Sequence, residues 1–377
     1  MKEYLDREEK EMFLFLEKLV NTESGSHNKK GVDQIGAILR KCYEELGFNV
    51  KTIYQEEFGN HLVLHHKKAV NPKVLILSHL DTVFPEGTVK DRPFSIKGNR
   101  AYGPGVIDMK ASLVSVYYAL KALDLSGSQS IQNVVIVMNS DEEVGSTTSR
   151  SLIEKLAGGK DFALVMEPAR KDGSLVSARR GKGNYTLEVQ GKAAHSGIEP
   201  EKGRSAIEEL AHKVIQFHEL SDHENGISVN IGLIEGGSSA NTVSDHAIAQ
   251  VDVRISSLNQ VEFLEEKMEE ICSLTDVPGT KILLEGEINR PPMAKNKKSS
   301  SLLDIITDVG KEIGVDIEDT STGGGSDASF TSAMGIATID GLGPIGGNAH
   351  SDKEYLEIPS LKERTLLLAK VIERLSE

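Results

Sequence analysis

The stretch VLILSHLDT, residues 74–82, decides how the first part of the chain is expected to fold. Its apolar run, followed by polar residues, predicts a strand that is covered on both faces. Residues 134–138 and 163–166 have the same continuous apolar character. Helices are predicted around these strands at 4–19, 32–46 and 110–123. This alternation of helices with buried strands predicts an α/β layered domain.

The pattern changes near residue 180, where alternating strands replace the apolar runs. The order of predicted elements becomes β-α-β-β-α-β, which is typical of a ferredoxin-like unit. Its strands are expected at 184–190, 226–234, 246–255 and 281–285, and its helices at 204–220 and 260–274. The Pro291-Pro292 pair marks the exit, and α/β texture then returns. We therefore predict a discontinuous catalytic domain, residues 1–179 and 293–377, with an inserted domain at 180–292.

Composition narrows the class of protein. The chain has 377 residues and a formal net charge of -14, which disfavours nucleic acid and anionic membranes as partners. The two cysteines, Cys42 and Cys272, lie far apart and predict free thiols in a reducing compartment. Residues 1–20 are amphipathic and charged, without the apolar run of a signal peptide or a membrane span. A cytoplasmic enzyme is the expectation.

Side chains able to bind metal follow the first buried strand. Because alternate residues of a strand point the same way, His79 and Asp81 can share one site. Imidazole is a common zinc ligand, and a metal-bound histidine usually donates its other N–H to a carboxylate or carbonyl. Asp81 is therefore the candidate partner that orients His79. A surface histidine near an aspartate is the simpler alternative.

Two further segments combine a turn with carboxylates. Asp108 follows a Gly-Pro-Gly turn just before a predicted helix, where it would either cap the helix or bridge two cations. Residues 141–143 read Asp-Glu-Glu after the second buried strand. Three adjacent carboxylates repel one another unless they are solvated or neutralised, although the start of a helix also favours acidic residues. If Glu143 binds a metal, Glu142 can face the metal-bound water.

Glu167 follows the third buried strand, and His350 lies late in the chain. Together the five segments contribute two histidines and three carboxylates from separate loops. Such a set of nitrogen and oxygen ligands can hold two metals with one carboxylate shared between them. The combination indicates a metal site more strongly than any of its members does.

With these motifs in this order, the sequence resembles the co-catalytic di-zinc metallopeptidases of the aminoacylase/glutamate carboxypeptidase family, most of all the folate-hydrolysing glutamate carboxypeptidases. The resemblance implies a mixed-sheet, zinc-exopeptidase-like catalytic domain with an inserted lid and dimerisation domain. It implies Glu142 as general base, Asp81 as a catalytic residue and a cis peptide bond at Asp108-Met109. The zinc ligands that it implies are His79, Asp108, Glu143, Glu167 and His350. Asp108 would bridge the two zinc ions, and Co²⁺ or Mn²⁺ are accepted by the same ligand types.

The resemblance also implies residues that bind the substrate. His195 would reach the partner subunit's active site and stabilise the oxyanion, which implies a homodimer. Asn241, Arg254 and the backbone near Gly325 would hold the free α-carboxylate. For Arg254, an ion pair with Asp252 on the same strand face is the alternative.

The expected reaction is hydrolysis of an amide bond next to a free carboxylate, with release of a C-terminal amino acid from a small peptide or N-acyl amino acid. Arg170 and Lys171 lie near, but not clearly at, the position that reads a glutamate side chain in relatives, so an acidic preference is left open. The stretch 179–181 looks more like the deacylase and aminopeptidase branches. An N-acyl-amino-acid deacylase or a small-peptide aminopeptidase is therefore the main alternative, and a non-catalytic binding protein on the same fold is a remote one.

Overall fold

The computed structural model of the chain describes residues 1–377. In chain order its strands are β1 (Phe48–Ile53), β2 (His61–His66), β3 (Val74–His79), β4 (Ser95–Lys97), β5 (Arg100–Tyr102), β6 (Val134–Asn139), β7 (Phe162–Val165), β8 (Leu175–Arg179), β9 (Gly181–Gln190), β10 (Ala194–His195), β11 (Ser228–Gly236), β12 (Thr242–Val243), β13 (His246–Ile255), β14 (Lys281–Arg290), β15 (Asp319–Thr322), β16 (Ala337–Ile339), β17 (Gly346–Gly347) and β18 (Tyr355–Glu357).

The α-helices vary from one turn to five turns in length. They are α1 (Lys2–Val20), α2 (Lys29–Glu45), α3 (Thr88–Asp91), α4 (Ala111–Leu125), α5 (Arg150–Ala157), α6 (Ala206–His218), α7 (Asn259–Ser273), α8 (Lys297–Ile313), α9 (Ala328–Ala333) and α10 (Ile358–Arg374). A π-type turn precedes α4 at Val106–Lys110, and a 3-10 turn follows β6 at Glu142–Val144. No helix combines the length and the apolar character that crossing a bilayer requires.

The chain forms two compact units. The first comprises Met1–Ala178, Lys295–Thr322 and Ser326–Glu377, and the second comprises Arg179–Ala294 with Gly323–Gly325. Whether the two serve as a catalytic domain and as a lid and dimerisation domain stays a prediction.

A mixed six-stranded sheet, in the order β1-β2-β6-β3-β7-β16, organises the first unit. β6, β3, β7 and β16 run parallel to one another, whereas β2 is antiparallel to β6 and β1 is antiparallel to β2. Every residue of β3 and of β6 is buried, in agreement with their continuous apolar runs. The fold is therefore the α/β mixed-sheet type that the sequence predicts. Because β3, β6 and β7 are parallel, their carboxyl ends, which carry the candidate ligands, meet at one edge.

Helix α4 is an apolar segment that lies in the interior of the first unit. Nearly all of its residues are buried, including Leu113, Val116 and Leu120, so the helix is enclosed on most sides. It shares a core with α1, α8 and α10. Helix α8 begins at a capping box formed by Asn296 and Ser299 and ends at Gly314, whose φ is +79°.

The second unit has its own core. Its four-stranded antiparallel sheet has the order β11-β13-β9-β14. In β9 buried residues alternate with more exposed ones, as expected of a strand with only one covered face. The buried face packs with Leu210 and Phe217 of α6 and with Leu264 and Met268 of α7.

Candidate metal centre

His79 ends β3, and its side chain is buried. Its Nδ1 lies 2.9 Å from the backbone oxygen of Asp81, and its Nε2 lies 3.1 Å from Oδ1 of Asp108. Donation from Nδ1–H to the carbonyl fixes the ring so that Nε2 faces the carboxylate cluster. The bond that orients His79 therefore comes from the backbone of Asp81.

The carboxylate of Asp81 has a different structural role, which the sequence did not indicate. It is 3.5 Å from Nδ1 of His79, but it accepts hydrogen bonds from Ser26 Oγ at 2.8 Å and from the backbone N–H groups of Glu142 and Glu143 at 3.3 and 3.2 Å. It thus holds the turn that carries both glutamates. Nδ1 of His79 therefore lies farther from the Asp81 carboxylate, at 3.5 Å, than from the Asp81 backbone oxygen, at 2.9 Å.

Asp108 lies inside the π-type turn before α4, and its peptide bond to Met109 is cis. The N-cap position of α4 is occupied by Lys110, so the alternative that Asp108 caps this helix is wrong. Its Oδ1 faces Nε2 of His79 at 3.1 Å, and its Oδ2 faces Nε2 of His350 at 3.2 Å. One carboxylate thus presents an oxygen to each histidine, the arrangement that a bridging ligand requires.

The acidic stretch 141–143 divides into two parts. Asp141 is fully buried, and its carboxylate accepts hydrogen bonds from the backbone N–H and hydroxyl groups of Thr148 and Ser149 at 2.6 to 3.2 Å. It therefore serves the local structure. Glu142 and Glu143, in the 3-10 turn, supply side chains to the cluster.

The remaining candidates complete one connected cluster. Oε1 of Glu167 lies 3.9 Å from Nε2 of His79, and Oε2 of Glu143 lies 3.2 Å from Nε2 of His350. The ligand atoms of His79, Glu142 and Glu167 lie within 4.8 Å of one another, as do those of His79, Asp108 and Glu143. The structure thus brings together all six side chains that the sequence nominated from five separate segments.

The electrostatics of this cluster favour added positive charge. Burial, reinforced by the Asp108 carboxylate, raises the pKa of Glu167 well above its usual value, and burial also raises the pKa of Glu143. Hydrogen bonds to Asp108 and Glu143 raise the pKa of His350 to about 11. Burial opposes ionisation of Asp108, but hydrogen bonds from His350 and His79 outweigh it, so the pKa of Asp108 is lowered. Buried carboxylates this close require protons or cations between them.

One atom tests whether a metal ion fits. Oε1 of Glu143 is buried and has no hydrogen-bond partner, although an ionised oxygen is costly to leave unpaired in the interior. Its neighbours supply imidazole nitrogen and carboxylate oxygen, the donors that Zn²⁺ and similar cations accept. The residues present therefore fit a cluster of divalent cations.

Glu354 is a contributor that sequence reasoning missed. Its side chain is buried, and its two oxygens accept hydrogen bonds from the backbone N–H groups of Gly105, Ile107 and Asp108 at 3.0, 2.9 and 3.1 Å. Burial raises its pKa to about 7. Since Glu354 follows His350 closely in the chain, it joins the segment of one candidate ligand to the turn of another.

The candidate substrate residues belong to the second unit. His195 in β10 pairs with Thr242 in β12, and the backbone N–H of Ser196 donates to the carbonyl of Asn241 at 3.0 Å, so His195 and Asn241 adjoin. Nδ1 of His195 accepts a hydrogen bond from the N–H of Gly197.

Arg254 is engaged by Asp252, the alternative partner considered above. Its Nε and Nη2 donate to the two oxygens of Asp252 at 2.8 and 3.1 Å, and Nη1 donates to the carbonyl of Gly323 at 3.2 Å. Gly325, in the same short loop, adjoins Arg290, which a Cβ at Gly325 would approach to 3.0 Å. Arg254 is thus held beside the glycine loop, and its grip on a substrate stays a prediction.

In the first unit, Lys171 approaches the loop of His350. Its Nζ lies 3.4 Å from Oδ1 of Asn348. Both Lys171 and its neighbour Arg170 are exposed. Of the two cations that the sequence placed near the expected position, Lys171 is therefore the one with a contact to the His350 loop.

Comparison with known proteins agrees with this geometry. Residues 75–374 match peptidase family M20/M25/M40. Carboxypeptidase G2 from Pseudomonas sp. (strain RS-16) is 30% identical over 363 residues, 95% of this chain and 87% of the relative. Acetylornithine deacetylase from Vibrio campbellii is 31% identical over 258 residues, 63% of this chain and 66% of the relative. The crystal structure of aminopeptidase PepT from Bacillus cereus superimposes with a TM-score of 0.82 at 23% identity, covering 98% of this chain and 99% of the other, which shows a common fold. The chain belongs to peptidase family M20/M25/M40 and is a hydrolytic enzyme of the metallopeptidase type.

Proposed function

We propose that this enzyme is a two-metal carboxypeptidase, which hydrolyses the amide bond before a C-terminal, free-carboxylate amino acid in a small peptide or N-acyl amino acid. The observation that carries the proposal is Asp108, whose two oxygens face His79 at 3.1 Å and His350 at 3.2 Å. The relationship to carboxypeptidase G2 over nearly the whole chain supports the carboxypeptidase assignment.

The proposed cofactor is two Zn²⁺ ions per subunit, for which Co²⁺ or Mn²⁺ can substitute. His79, Asp108 and Glu167 would hold one ion, and Asp108, Glu143 and His350 would hold the other. When bound, such a pair supplies a Lewis acid for the scissile carbonyl and lowers the pKa of water.

Glu142 is the proposed general base. Its backbone N–H is held by the Asp81 carboxylate, and its side chain lies within the cluster with His79 and Glu167. It takes a proton from water as water adds to the carbonyl carbon, and it delivers that proton to the leaving nitrogen as the C–N bond breaks. Asp81 positions both His79, through its carbonyl, and Glu142, through its carboxylate.

The second unit is proposed as a ferredoxin-like lid and dimerisation domain. Arg254, Asn241 and the backbone of Gly325 would bind the free α-carboxylate, and His195 of one subunit would stabilise the oxyanion formed in the other. Exposed apolar residues on the edge strand β11 support an interface there: Leu233 is 67% exposed and Ile234 is 56% exposed.

An N-acyl-amino-acid deacylase is the second candidate, and the relationship to acetylornithine deacetylase favours it. The small-peptide aminopeptidase is the third, and here the likeness to aminopeptidase PepT supports the fold alone. The three differ in what lies on the far side of the scissile bond: a peptide or large acyl group, a small acyl group, or a residue with a free amine.

The test is a panel of N-acyl and peptidyl amino acids, assayed with zinc-loaded and with chelator-treated protein. We expect zinc-dependent release of a C-terminal amino acid from substrates whose amino end is blocked. Cleavage restricted to peptides with free N-terminal amines would contradict the carboxypeptidase proposal and support the aminopeptidase.

The role of Glu142 has its own test. Glu142→Ala should retain both zinc ions while turnover falls by about 10²–10⁴-fold, since only the proton transfer is lost. Glu57→Ala changes an exposed glutamate of the same unit and should leave turnover unchanged. Full activity of Glu142→Ala would remove Glu142 from the mechanism.

A further inference from the structure

The turn that carries Glu142 and Glu143 ends in an unusual backbone conformation. Gly145 and Ser146, which follow it, have φ angles of +99° and +57°. Glycine adopts this left-handed region freely, whereas a residue with a side chain is disfavoured there, so the contacts of Ser146 must hold it in place. Its backbone N–H donates to the carbonyl of Asp141 at 2.7 Å, and its side chain is fully buried. The position of the turn therefore depends on what surrounds Ser146.

Asp327 provides a side-chain contact to Ser146. It occupies the N-cap position of α9 and is only 3% exposed, but its side chain does not cap that helix. An aspartate at an N-cap ordinarily accepts a hydrogen bond from its own helix. Here Oδ1 accepts from the hydroxyl of Ser146, and Oδ2 accepts from the side-chain amide of Asn139 at 2.7 Å. The carboxylate thus serves the segment that bears the proposed base rather than its own helix.

The amide donor to Asp327 lies at the other end of this segment. Asn139 is the last residue of β6, and in the parallel pair of strands it is opposite His79, the last residue of β3. The carbonyl of Asn139 accepts from the backbone N–H of Leu80 at 2.7 Å. Asp327 therefore joins the strand end beside one candidate metal ligand to the end of the turn that carries another.

Two carboxylates hold this turn from opposite ends. Asp81 accepts from the backbone N–H groups of Glu142 and Glu143 at its start, and Asp327 accepts from Ser146 just beyond its end. The side chains that Asp327 joins are both buried, so water cannot replace a lost acceptor. Removal of the Asp327 carboxylate would leave two buried donors without this partner and would release the end of the turn.

We propose that Asp327 is a positioning residue for the two glutamates of this turn, the general base Glu142 and the metal ligand Glu143. It is not itself one of the candidate ligands, so it acts through Ser146 and Asn139. The inference rests on the proposed function for its effect on turnover, because Glu142 must be placed to receive the proton of water. Its effect on Glu143 needs no substrate, because a displaced turn also weakens the binding of one zinc ion.

The first test is the kinetics of Asp327→Ala on the panel substrate that wild type cleaves best. We expect kcat to fall by about 10- to 100-fold and KM to change by no more than about threefold, because the base moves while the proposed substrate-binding residues are unchanged. Asp327→Asn should restore kcat to within about threefold of wild type, since its oxygen can accept from Asn139 and its NH₂ group can donate to the Ser146 hydroxyl.

Two further variants separate positioning from a simple loss of stability. Ser146→Ala removes the same contact from the other side, and it should lower kcat by about tenfold if Asp327→Ala fails to fold. Thr331→Val is the control on the same helix. It removes a buried hydroxyl that contacts only the carbonyl of Ala328 and the hydroxyl of Thr338 among the hydrogen bonds observed, and it should leave kcat and zinc affinity unchanged. Urea unfolding establishes that each variant is folded under the assay conditions.

Zinc binding distinguishes this inference from the proposed function. In titrations of metal-free protein against a chromogenic chelator, the affinity for one of the two ions should be about 10–100-fold lower in Asp327→Ala and Ser146→Ala than in wild type and Thr331→Val. That result would support the positioning role even if no panel substrate is cleaved, an outcome that would count against the proposed function alone. Wild-type zinc affinity in both folded variants, or a loss in Thr331→Val equal to that in Asp327→Ala, would overturn the inference.

Discussion

Replacement of Glu354 by glutamine tests how the turn around Asp108 is held. Glutamine keeps one oxygen, but its amide nitrogen cannot accept from a backbone N–H, and a buried donor left without an acceptor costs about 1–3 kcal/mol. The wild-type protein has an opposing cost, because burial raises the pKa of Glu354 from 4.5 to about 7. Ionising this carboxyl group in the folded state therefore costs about 3 kcal/mol, which the glutamine variant avoids. At pH 8 the two effects nearly cancel, so the free energy of unfolding should change little.

Metal affinity, in contrast to stability, should fall in Glu354→Gln. Glu354 accepts a hydrogen bond from the backbone N–H of Asp108, the candidate bridging ligand. If the turn shifts, both carboxylate oxygens of Asp108 move with it. Loss of such a supporting hydrogen bond lowers metal affinity by about 10–100-fold. Zinc titration of apo protein at pH 8, in competition with a chromogenic chelator, measures the affinity, and urea unfolding measures the stability. Wild-type zinc affinity in Glu354→Gln would refute the reasoning.

Glu357→Gln is the matched control. Glu357 lies on the same segment but forms a surface ion pair with Arg100, so its replacement by glutamine should leave zinc affinity unchanged.

The pH dependence of the free energy of unfolding gives a further check on Glu354. Because the pKa of Glu354 is higher in the folded protein, the folded state binds more protons between pH 4.5 and 7. Its contribution to apo-protein stability therefore falls as pH rises through that window, and Glu354→Gln should lack this slope.

Three further outcomes are expected. His350→Ala should lower the zinc stoichiometry from two ions to one, measured by elemental analysis after dialysis, and an unchanged stoichiometry would exclude His350 as a ligand. Burial raises the pKa of the Cys272 thiol to about 11, so at pH 8 this thiol should react with iodoacetamide about 100-fold more slowly than free cysteine. The rate should increase as the pH approaches that pKa. A reaction at pH 8 as fast as that of free cysteine would contradict the burial. Leu120→Ala in α4 should lower the free energy of unfolding by about 2–5 kcal/mol in urea titrations, whereas Leu125→Ala, at a residue 61% exposed on the same helix, should change it by less than about 0.5 kcal/mol.

The sequence predicts the parallel part of the sheet well, because a strand covered on both faces must be continuously apolar. The antiparallel strands β1 and β2 do not follow from it. They contain lysine, asparagine and histidines. His61 is buried, and its ring accepts a hydrogen bond from the backbone N–H of Ser140 at 3.1 Å and contacts the hydroxyl oxygen of Thr148 at 3.0 Å. Such partners lie far along the chain, and no local pattern indicates them.

The candidate ligands were predictable for a related reason. His79, Asp108 and Glu143 are chemically conspicuous, and each lies beside a strand end or a turn. Glu354 has no comparable signal, since it acts on backbone N–H groups that every residue possesses. A cavity lined by residues 25–28, 82–86 and 143–144 was equally hidden, because the segments that form it lie more than 50 residues apart in the sequence.

The spacing of the cluster along the chain has a consequence for synthesis. His79 and His350 come from opposite parts of the first unit, with the whole second unit emerging from the ribosome between them. A nascent chain that stops short of His350 contains His79, Asp108, Glu143 and Glu167, but it lacks one candidate ligand and the Glu354 carboxylate that holds the Asp108 turn. A metal centre built from this cluster can therefore be fully loaded only when translation is nearly complete, so a loaded centre would also report that both parts of the first unit have come together.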